Sequence, residues 1–359
     1  MPRIVIAAGG TAGHVVPALA VADALCARGA EVEFIGGERA EAELVPAAGY
    51  PFHPLRVAGM DRGNPLRAAR ALLLAGAATR RARRLLRRIG ADAALGGGGY
   101  VAGPVGLAAA TLRVPLVLTE ADSHLGVTNR LLAPLARRVF LAFPIEGRAG
   151  AKWEVAGRAV PAATGRVDRP GARRRFGIGA DKPCVLVFGG SLGARRLNDA
   201  ALDAFAASAP GAVLHACGRR DHAGLRERLD ALGSPPHYHL HAYIEPFADA
   251  LAAADLVVAR AGGSVMEVAA AGLPSVLVPY PHAAADHQAL NARHIERAGA
   301  AVVVPDSELD GARLAREVSA LLQAPERLAQ MGRAALAVAK PEAAGRIAAE
   351  LLALARGPS

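Results

Sequence analysis

Two apolar runs stand half a chain apart and end in the same kind of turn. Residues 4–8 lead into Gly9-Gly10-Thr11-Ala12-Gly13, and residues 184–188 lead into Gly189-Gly190-Ser191-Leu192-Gly193. The three glycines of each turn recur at a constant offset of 180 residues. A buried strand, a glycine turn and a helical pattern together open a parallel βαβ unit. Further candidate strands alternate with Ala/Leu-rich helical stretches: 31–34, 116–119 and 139–141, then 213–216, 256–259 and 275–279. That alternation predicts an α/β protein of two doubly wound, Rossmann-like domains. At 359 residues, each half is long enough to bury its own core. The segment 157–179, with its prolines, glycines and the run Arg173-Arg174-Arg175, reads as a linker and re-entry. The expected domains are therefore 1–158 and 159–340, with a late helix over about 341–357 packing back on the first. Ligands of open α/β sheets bind beyond the carboxyl ends of the strands. Two such domains are expected to enclose a cleft lined by both glycine turns.

Glycine turns at helix N-termini bind anions because free amides and the helix dipole point at the ligand. The 189–193 turn is such a candidate, with a hydroxyl from Ser191; tight strand–helix packing is the other reading. No Lys-Ser/Thr follows, so it is not a P-loop, and its spacing is not the dinucleotide fingerprint. A third segment runs Gly96-Gly97-Gly98-Gly99-Tyr100-Val101-Ala102-Gly103-Pro104. Four consecutive glycines cost backbone entropy on folding, and close approach to a ligand is the expected reason for them. The uncharged stretch 93–112 has the length of a membrane span, but its six glycines and Pro104 read as a loop and the start of a buried helix. His14 follows the first turn and could accept a proton near neutral pH, or serve only as a structural hydrogen-bonding residue. His282, Asp286 and His287 lack a third-ligand pattern, so polar contacts are expected there and no metal.

Three cysteines, Cys26, Cys184 and Cys217, indicate neither a disulfide framework nor a zinc site. Arg3 leads directly into a short apolar run, so no secretory signal is expected and the chain reads as soluble and cytoplasmic. The formal net charge of +10 points to an acidic partner or to an arginine habit of the source genome. Its distribution is uneven: residues 1–160 hold 20 Lys+Arg against 12 Asp+Glu, and residues 161–359 hold 22 against 20. Most of the excess lies over 62–88, with nine arginines and no acid. There Ala78, Ala82, Leu85, Leu86 and Ile89 share one helical face, with Arg80, Arg83, Arg84, Arg87 and Arg88 around the rest. With Leu72 and Leu73 adjoining, this arm suits an anionic membrane surface. Nucleic acid is not expected, since no reading module is present.

Several segments together resemble the bacterial N-acetylglucosaminyltransferases of peptidoglycan synthesis, the MurG family. They are Gly9-Gly10-Thr11-Ala12-Gly13-His14-Val15-Val16-Pro17, Gly98-Gly99-Tyr100-Val101-Ala102-Gly103-Pro104 and Gly189-Gly190-Ser191-Leu192-Gly193-Ala194-Arg195. Thr128-Asn129, Arg260-Ala261-Gly262, Glu267, Ala270-Ala271-Gly272-Leu273-Pro274, Gln288 and Asn291 complete the ordered set. The resemblance implies a glycosyltransferase B fold and inverting transfer of N-acetylglucosamine from UDP-GlcNAc to the 4-hydroxyl of the muramyl residue of lipid I, giving lipid II. The runners-up are a B-fold UDP-sugar transferase with a different lipid acceptor, and a non-catalytic nucleotide-sugar sensor.

By that resemblance His14 is the candidate base. Ser191, Gly190, Gly193, Ala194 and Arg195 lie at the UDP phosphates, Ile244 at the uracil, Arg260 and Gly262 near the nucleotide, and Glu267 at the ribose. Gln288 and His287 would hold the sugar. Thr11, Gly13, Tyr100, Asp122 and Asn129 fall on the acceptor side, and no cofactor or metal is implied. The implied partners are UDP-GlcNAc, lipid I, the inner face of the cell membrane and a cell-wall synthesis complex. Two departures stand out. The family's Glu-Gln-Asn reads Glu120-Ala121-Asp122, and the junction arginine is replaced by Pro161, with Arg158 or Arg195 as its possible substitute.

Overall fold

The computed structural model describes residues 1–57, 65–190, 193–283 and 286–357, without the side chains of 12 and 65–73. The chain divides into two compact units, Met1–Pro161 with Pro341–Ser359, and Ala162–Lys340.

The first unit runs β1 (Arg3–Ala7), α1 (Ala12–Cys26), β2 (Glu31–Gly36), α2 (Ala40–Ala47), β3 (Phe52–Pro54), α3 (Pro65–Ile89), β4 (Ala93–Gly96), α4 (Ala102–Thr111), β5 (Leu116–Glu120), α5 (Val127–Leu132), β6 (Arg138–Leu141) and β7 (Trp153–Val155). Its seven parallel strands lie in the order β3-β2-β1-β4-β5-β6-β7. Successive residues of β1 point to opposite faces. Ile4 and Ile6 join Val15, Val21 and Leu25 of α1 in one core, while Val5 and Ala7 join Ala82 and Leu86 of α3 and Val105 of α4 in the other. The second unit runs α6 (Arg169–Arg175), β8 (Cys184–Phe188), α7 (Arg195–Phe205), β9 (Ala212–Ala216), α8 (His222–Ala231), β10 (Tyr238–His241), α9 (Phe247–Ala253), β11 (Leu256–Ala259), α10 (Val265–Ala270), β12 (Ser275–Leu277), α11 (His287–Arg297), β13 (Ala301–Val303), α12 (Gly311–Leu322) and α13 (Pro325–Ala339). Its six parallel strands lie in the order β10-β9-β8-β11-β12-β13. The chain ends in α14 (Ala343–Ala355), which packs on α1 through Ile347 and Leu351. Arg346 ties this helix down by a two-pronged bond to Glu154 at 2.9 Å on each arm.

Two local expectations change. The 93–112 stretch is a strand, a turn and a helix rather than a loop and a helix. β4 is buried on both faces, so no alternation marks it in the sequence. The arginine run near the expected linker belongs to α6, and Arg173 is buried among the carbonyls of Ala253 and Gly179 and the carboxylate of Asp255. That carboxylate also accepts from the Cys184 amide and from Arg169, so the arginines fasten a helix instead of decorating a linker. No helix among the described residues is long and apolar enough to cross a membrane.

Candidate active site

In each sheet the strand order reverses at one point, between β1 and β4 in the first unit and between β8 and β11 in the second. Crevices of this kind, outside the carboxyl ends, are where doubly wound sheets hold ligands. The loops leaving those four strands carry most of the candidate residues.

In the first unit His14 sits in the first turn of α1, half-buried, with its Nδ1 3.5 Å from the exposed Thr11 hydroxyl. Burial and then the Arg158 guanidinium push the imidazole below its ordinary value, against smaller opposing effects of Asp122 and Glu41. Both leading causes disfavour the protonated ring, so His14 is a neutral base at physiological pH. Gly98 abuts this ring: a Cβ there would stand 2.5 Å from His14 Cδ2. At Gly99, with φ +79°, a Cβ would collide with the carbonyl oxygen of Gly9. Gly98 and Gly99 of the four-glycine run therefore serve contact between two protein loops.

Glu41, which the sequence reading passed over, is fully buried beneath these loops. Its two oxygens accept from the amides of Gly10 and Gly37, each at 2.9 Å. Tyr100 closes over the same carboxylate, its hydroxyl held above the ordinary phenol range by burial and by Glu41, and Arg39 lies over its ring at 5.4 Å. The available signal was a glutamate one helical turn after a second glycine pair, Gly36-Gly37, at the end of β2.

At the end of β5, Glu120 is buried and accepts from the amides of Ala121 and Gly126 and from Asn129 Nδ2 at 2.9 Å. Burial holds this carboxyl above the usual carboxylate range, and the donors from Gly126 and Asn129 oppose that rise. Asn129 is itself buried, and its Nδ2 donates to Thr119 O and Glu120 Oε2, so it shapes the loop that carries Asp122. Arg158 is buried as well and donates to the carbonyls of Gly13 and Ala121. It therefore braces the turn before His14. A small cavity behind that turn is lined by Gly13, Gly97, Thr119, Glu120, Ala121 and Arg158.

In the second unit the 189–193 turn opens α7. Gly190 and Gly193 take positive φ, and the Gly193 amide donates to Gly190 O at 3.0 Å. Ala194 precedes the helix and Arg195, its first residue, is exposed; Ser191 lies outside the described residues. The loops after β11 and β12 are joined to each other. Arg260 is buried, paired with Asp306 at 2.5 Å, and donates to the carbonyls of Val278 and Pro279. Asn291 Nδ2 holds Ala261 O at 3.1 Å, Gln288 Oε1 accepts from the Tyr280 amide at 3.0 Å, and Gly262 faces Gln288. Arg260 is thus a brace for these loops. Glu267 on α10 and His287 at the start of α11 are partly exposed, while Ile244 is buried before α9. Among the described residues, no group of three His, Cys, Asp or Glu side chains could hold a metal.

The basic arm is α3. Ala78, Ala82, Leu86 and Ile89 are buried, and Leu85 is partly so. Arg84 and Arg88 line a groove of about 500 Å³ with His53, Pro54, Leu85 and Arg81, an arginine the sequence reading had not placed in the set. Arg80 and Arg87 are also exposed, Arg83 is half-buried, and the side chains of Leu72 and Leu73 lie outside the described residues.

Known proteins match this chain along its length. Residues 4–141 fit the glycosyltransferase family 28 N-terminal domain, and residues 184–347 fit the family 28 C-terminal domain. A UDP-N-acetylglucosamine–N-acetylmuramyl-(pentapeptide) pyrophosphoryl-undecaprenol N-acetylglucosamine transferase of Acidithiobacillus ferrooxidans is 43% identical, covering 99% of this chain and 98% of that protein. The Moorella thermoacetica protein of the same name is 42% identical, covering 95% and 96%. The crystal structure of Acinetobacter baumannii MurG superposes with a TM-score of 0.76 at 31% identity, covering 98% of this chain and 99% of that one. A putative UDP-N-acetylglucosamine 2-epimerase from Listeria monocytogenes shares the fold at 16% identity, with a TM-score of 0.73. With both family 28 domains in order and such relatives matched end to end, the chain belongs to the MurG family of glycosyltransferases.

Proposed function

We infer that this protein transfers N-acetylglucosamine from UDP-GlcNAc to the 4-hydroxyl of the N-acetylmuramyl residue of undecaprenyl-pyrophosphoryl-MurNAc-pentapeptide. The observation that carries this reading is the 43% identity, over 99% of the chain, to a relative bearing that name. In this reading the first unit holds the acceptor and the second the donor. His14 removes the proton of the attacking hydroxyl, which suits an imidazole kept neutral by burial and by Arg158. In the tautomer whose Nδ1 faces the Thr11 hydroxyl as donor, Nε2 is the basic nitrogen. The oxygen attacks the anomeric carbon as the bond to the UDP phosphate breaks, inverting that centre. Charge gathers on the leaving diphosphate, where the amides of the 189–193 turn and the N-terminus of α7 would stabilise it. Ser191, Ala194 and Arg195 belong to that subsite in this reading, with Ile244 at the base, Glu267 at the ribose diol, and His287 and Gln288 at the sugar.

The arginines of α3 are the part of the first unit suited to an anionic bilayer, each contributing about 1 kcal/mol near such a surface. Exposed Leu74, Leu107, Leu131 and Leu135 on the same unit support peripheral docking at the inner membrane face. Purified protein with radiolabelled UDP-GlcNAc and a lipid I analogue tests the reaction; absence of transfer to that acceptor would refute it. Flotation with anionic vesicles tests the docking: binding is expected to fall when Arg80, Arg83, Arg84, Arg87 and Arg88 are neutralised, and salt-insensitive binding would count against it.

A further inference from the structure

Under the second glycine turn lies a chain of buried polar side chains that the reaction itself does not use. Tyr238 at the start of β10 contacts His215 Nδ1 through its hydroxyl at 2.8 Å. His215 Nε2 lies 3.1 Å from Asn198 Oδ1. Asn198 Nδ2 donates to Cys217 O at 2.9 Å and to Asp221 Oδ2 at 3.0 Å. Asn198 and His215 are fully buried. The amide oxygen can only accept, so His215 donates from Nε2 and accepts the tyrosine proton at Nδ1. Burial pushes this imidazole down to about 3, consistent with a ring kept neutral in that single tautomer.

The far end of this chain meets the turn. Gly193, at φ +83°, packs so closely that a Cβ would collide with Cys217 O and stand 2.9 Å from Asp221 Oδ2. Asn198 fixes both of those atoms, and its own amide donates to Ala194 O at 2.9 Å, at the mouth of α7. The side chain therefore fixes the surface on which Gly193 packs, while the backbone amide of the same residue closes the first turn of the helix. We propose that Asn198, held in register by His215 and Tyr238, is a positioning residue that sets Gly193 and the first amides of α7, those of Ala194 and Arg195, toward the donor diphosphate. This rests on the assignment of that turn to UDP-GlcNAc.

Donor binding should respond where chemistry on bound substrate does not. The test measures UDP affinity by calorimetry, and KM for UDP-GlcNAc and kcat in the transfer assay, on full-length Asn198→Leu, His215→Leu and His215→Gln. Asn198→Leu keeps the volume and removes the partner of Cys217 O, of Asp221 Oδ2 and of His215 Nε2. We expect its donor KM and UDP Kd to rise tenfold or more, with kcat within about threefold and the acceptor KM unchanged. His215→Leu is expected to show a smaller rise, and His215→Gln, which can donate to Asn198 and accept from Tyr238, to restore the wild-type KM. If Asn198→Leu does not fold, the two His215 variants carry the same comparison. Folded variants with donor KM and UDP Kd within twofold of wild type, or with loss confined to kcat, would overturn the proposal. Failure of the wild type to bind UDP would overturn the donor assignment and the proposal with it.

Discussion

The two glycine turns are matched in sequence and supported by opposite means. Under the first is a fully buried carboxylate, Glu41, which occupies the Gly10 amide directly. Under the second is a chain of uncharged groups, Tyr238, His215 and Asn198, whose carboxylate neighbour Asp221 is reached through Asn198 Nδ2. An amide already bonded to a carboxylate has little left for a phosphate, and the negative charge beneath it opposes one. In the proposed reading the first turn serves a base and a neutral hydroxyl, and the second a diphosphate. Asp221 also lies beneath the second turn, but it is met by Asn198 Nδ2 and Arg220, whereas Glu41 spends both oxygens on loop amides.

The sharpest test of this contrast is removal of the base. His14→Ala should lower kcat by about 10²–10⁴-fold while leaving UDP affinity as in the wild type, measured by turnover and calorimetry. Unchanged turnover would remove His14 from the reaction.

Next in size is the packing of the first loops. Gly99→Ala forces a Cβ into Gly9 O at a positive φ, and should destabilise the protein by about 1–3 kcal/mol in denaturant unfolding. Glu41→Gln leaves one of two buried amides without its acceptor, with a cost of about 1–3 kcal/mol by the same measurement. It should not alter UDP affinity. A loss of donor binding in Glu41→Gln would erase the distinction between the turns.

The smallest effects are on pH dependence. Catalysis requires neutral His14, so activity should fall on acidification through an inflection below 6.5, the ordinary value from which burial and Arg158 lower it. Asp122 stabilises the protonated ring. Asp122→Asn should therefore move the acid limb to lower pH, read from kcat/KM profiles. A shift to higher pH would show that the ring titrates against other groups.

Much of this site was legible before any fold was known. Gly9 to His14, Gly98 to Tyr100, Gly190 to Arg195 and Arg260 to Gly262 do fall at the ends of β1, β4, β8 and β11. Glu41 as partner of Gly10, His215 as partner of Asn198 and Asp306 as partner of Arg260 were not legible, because the fold alone brings each pair together. Arg260 and Asn129, read from the sequence as lying near the nucleotide and on the acceptor side, also hold partners inside the protein that the sequence did not show, Asp306 and Glu120.

Sequence by itself determined the doubled α/β architecture, the family and the glycine turns at the carboxyl ends of β1, β4 and β8. Apolar runs and glycine turns are local signals, and their repetition needs no knowledge of contacts. Tertiary structure alone decided which glycines serve packing: the approach of Gly99 to Gly9 O and of Gly193 to Cys217 O leaves no room for a Cβ. It likewise decided that one turn is bonded directly to a carboxylate and that the other meets one through Asn198. Glu41 lies 31 residues from Gly10, and His215 lies 17 from Asn198. A buried polar group must find its partner wherever the fold supplies one, and sequence distance does not record which partner that is.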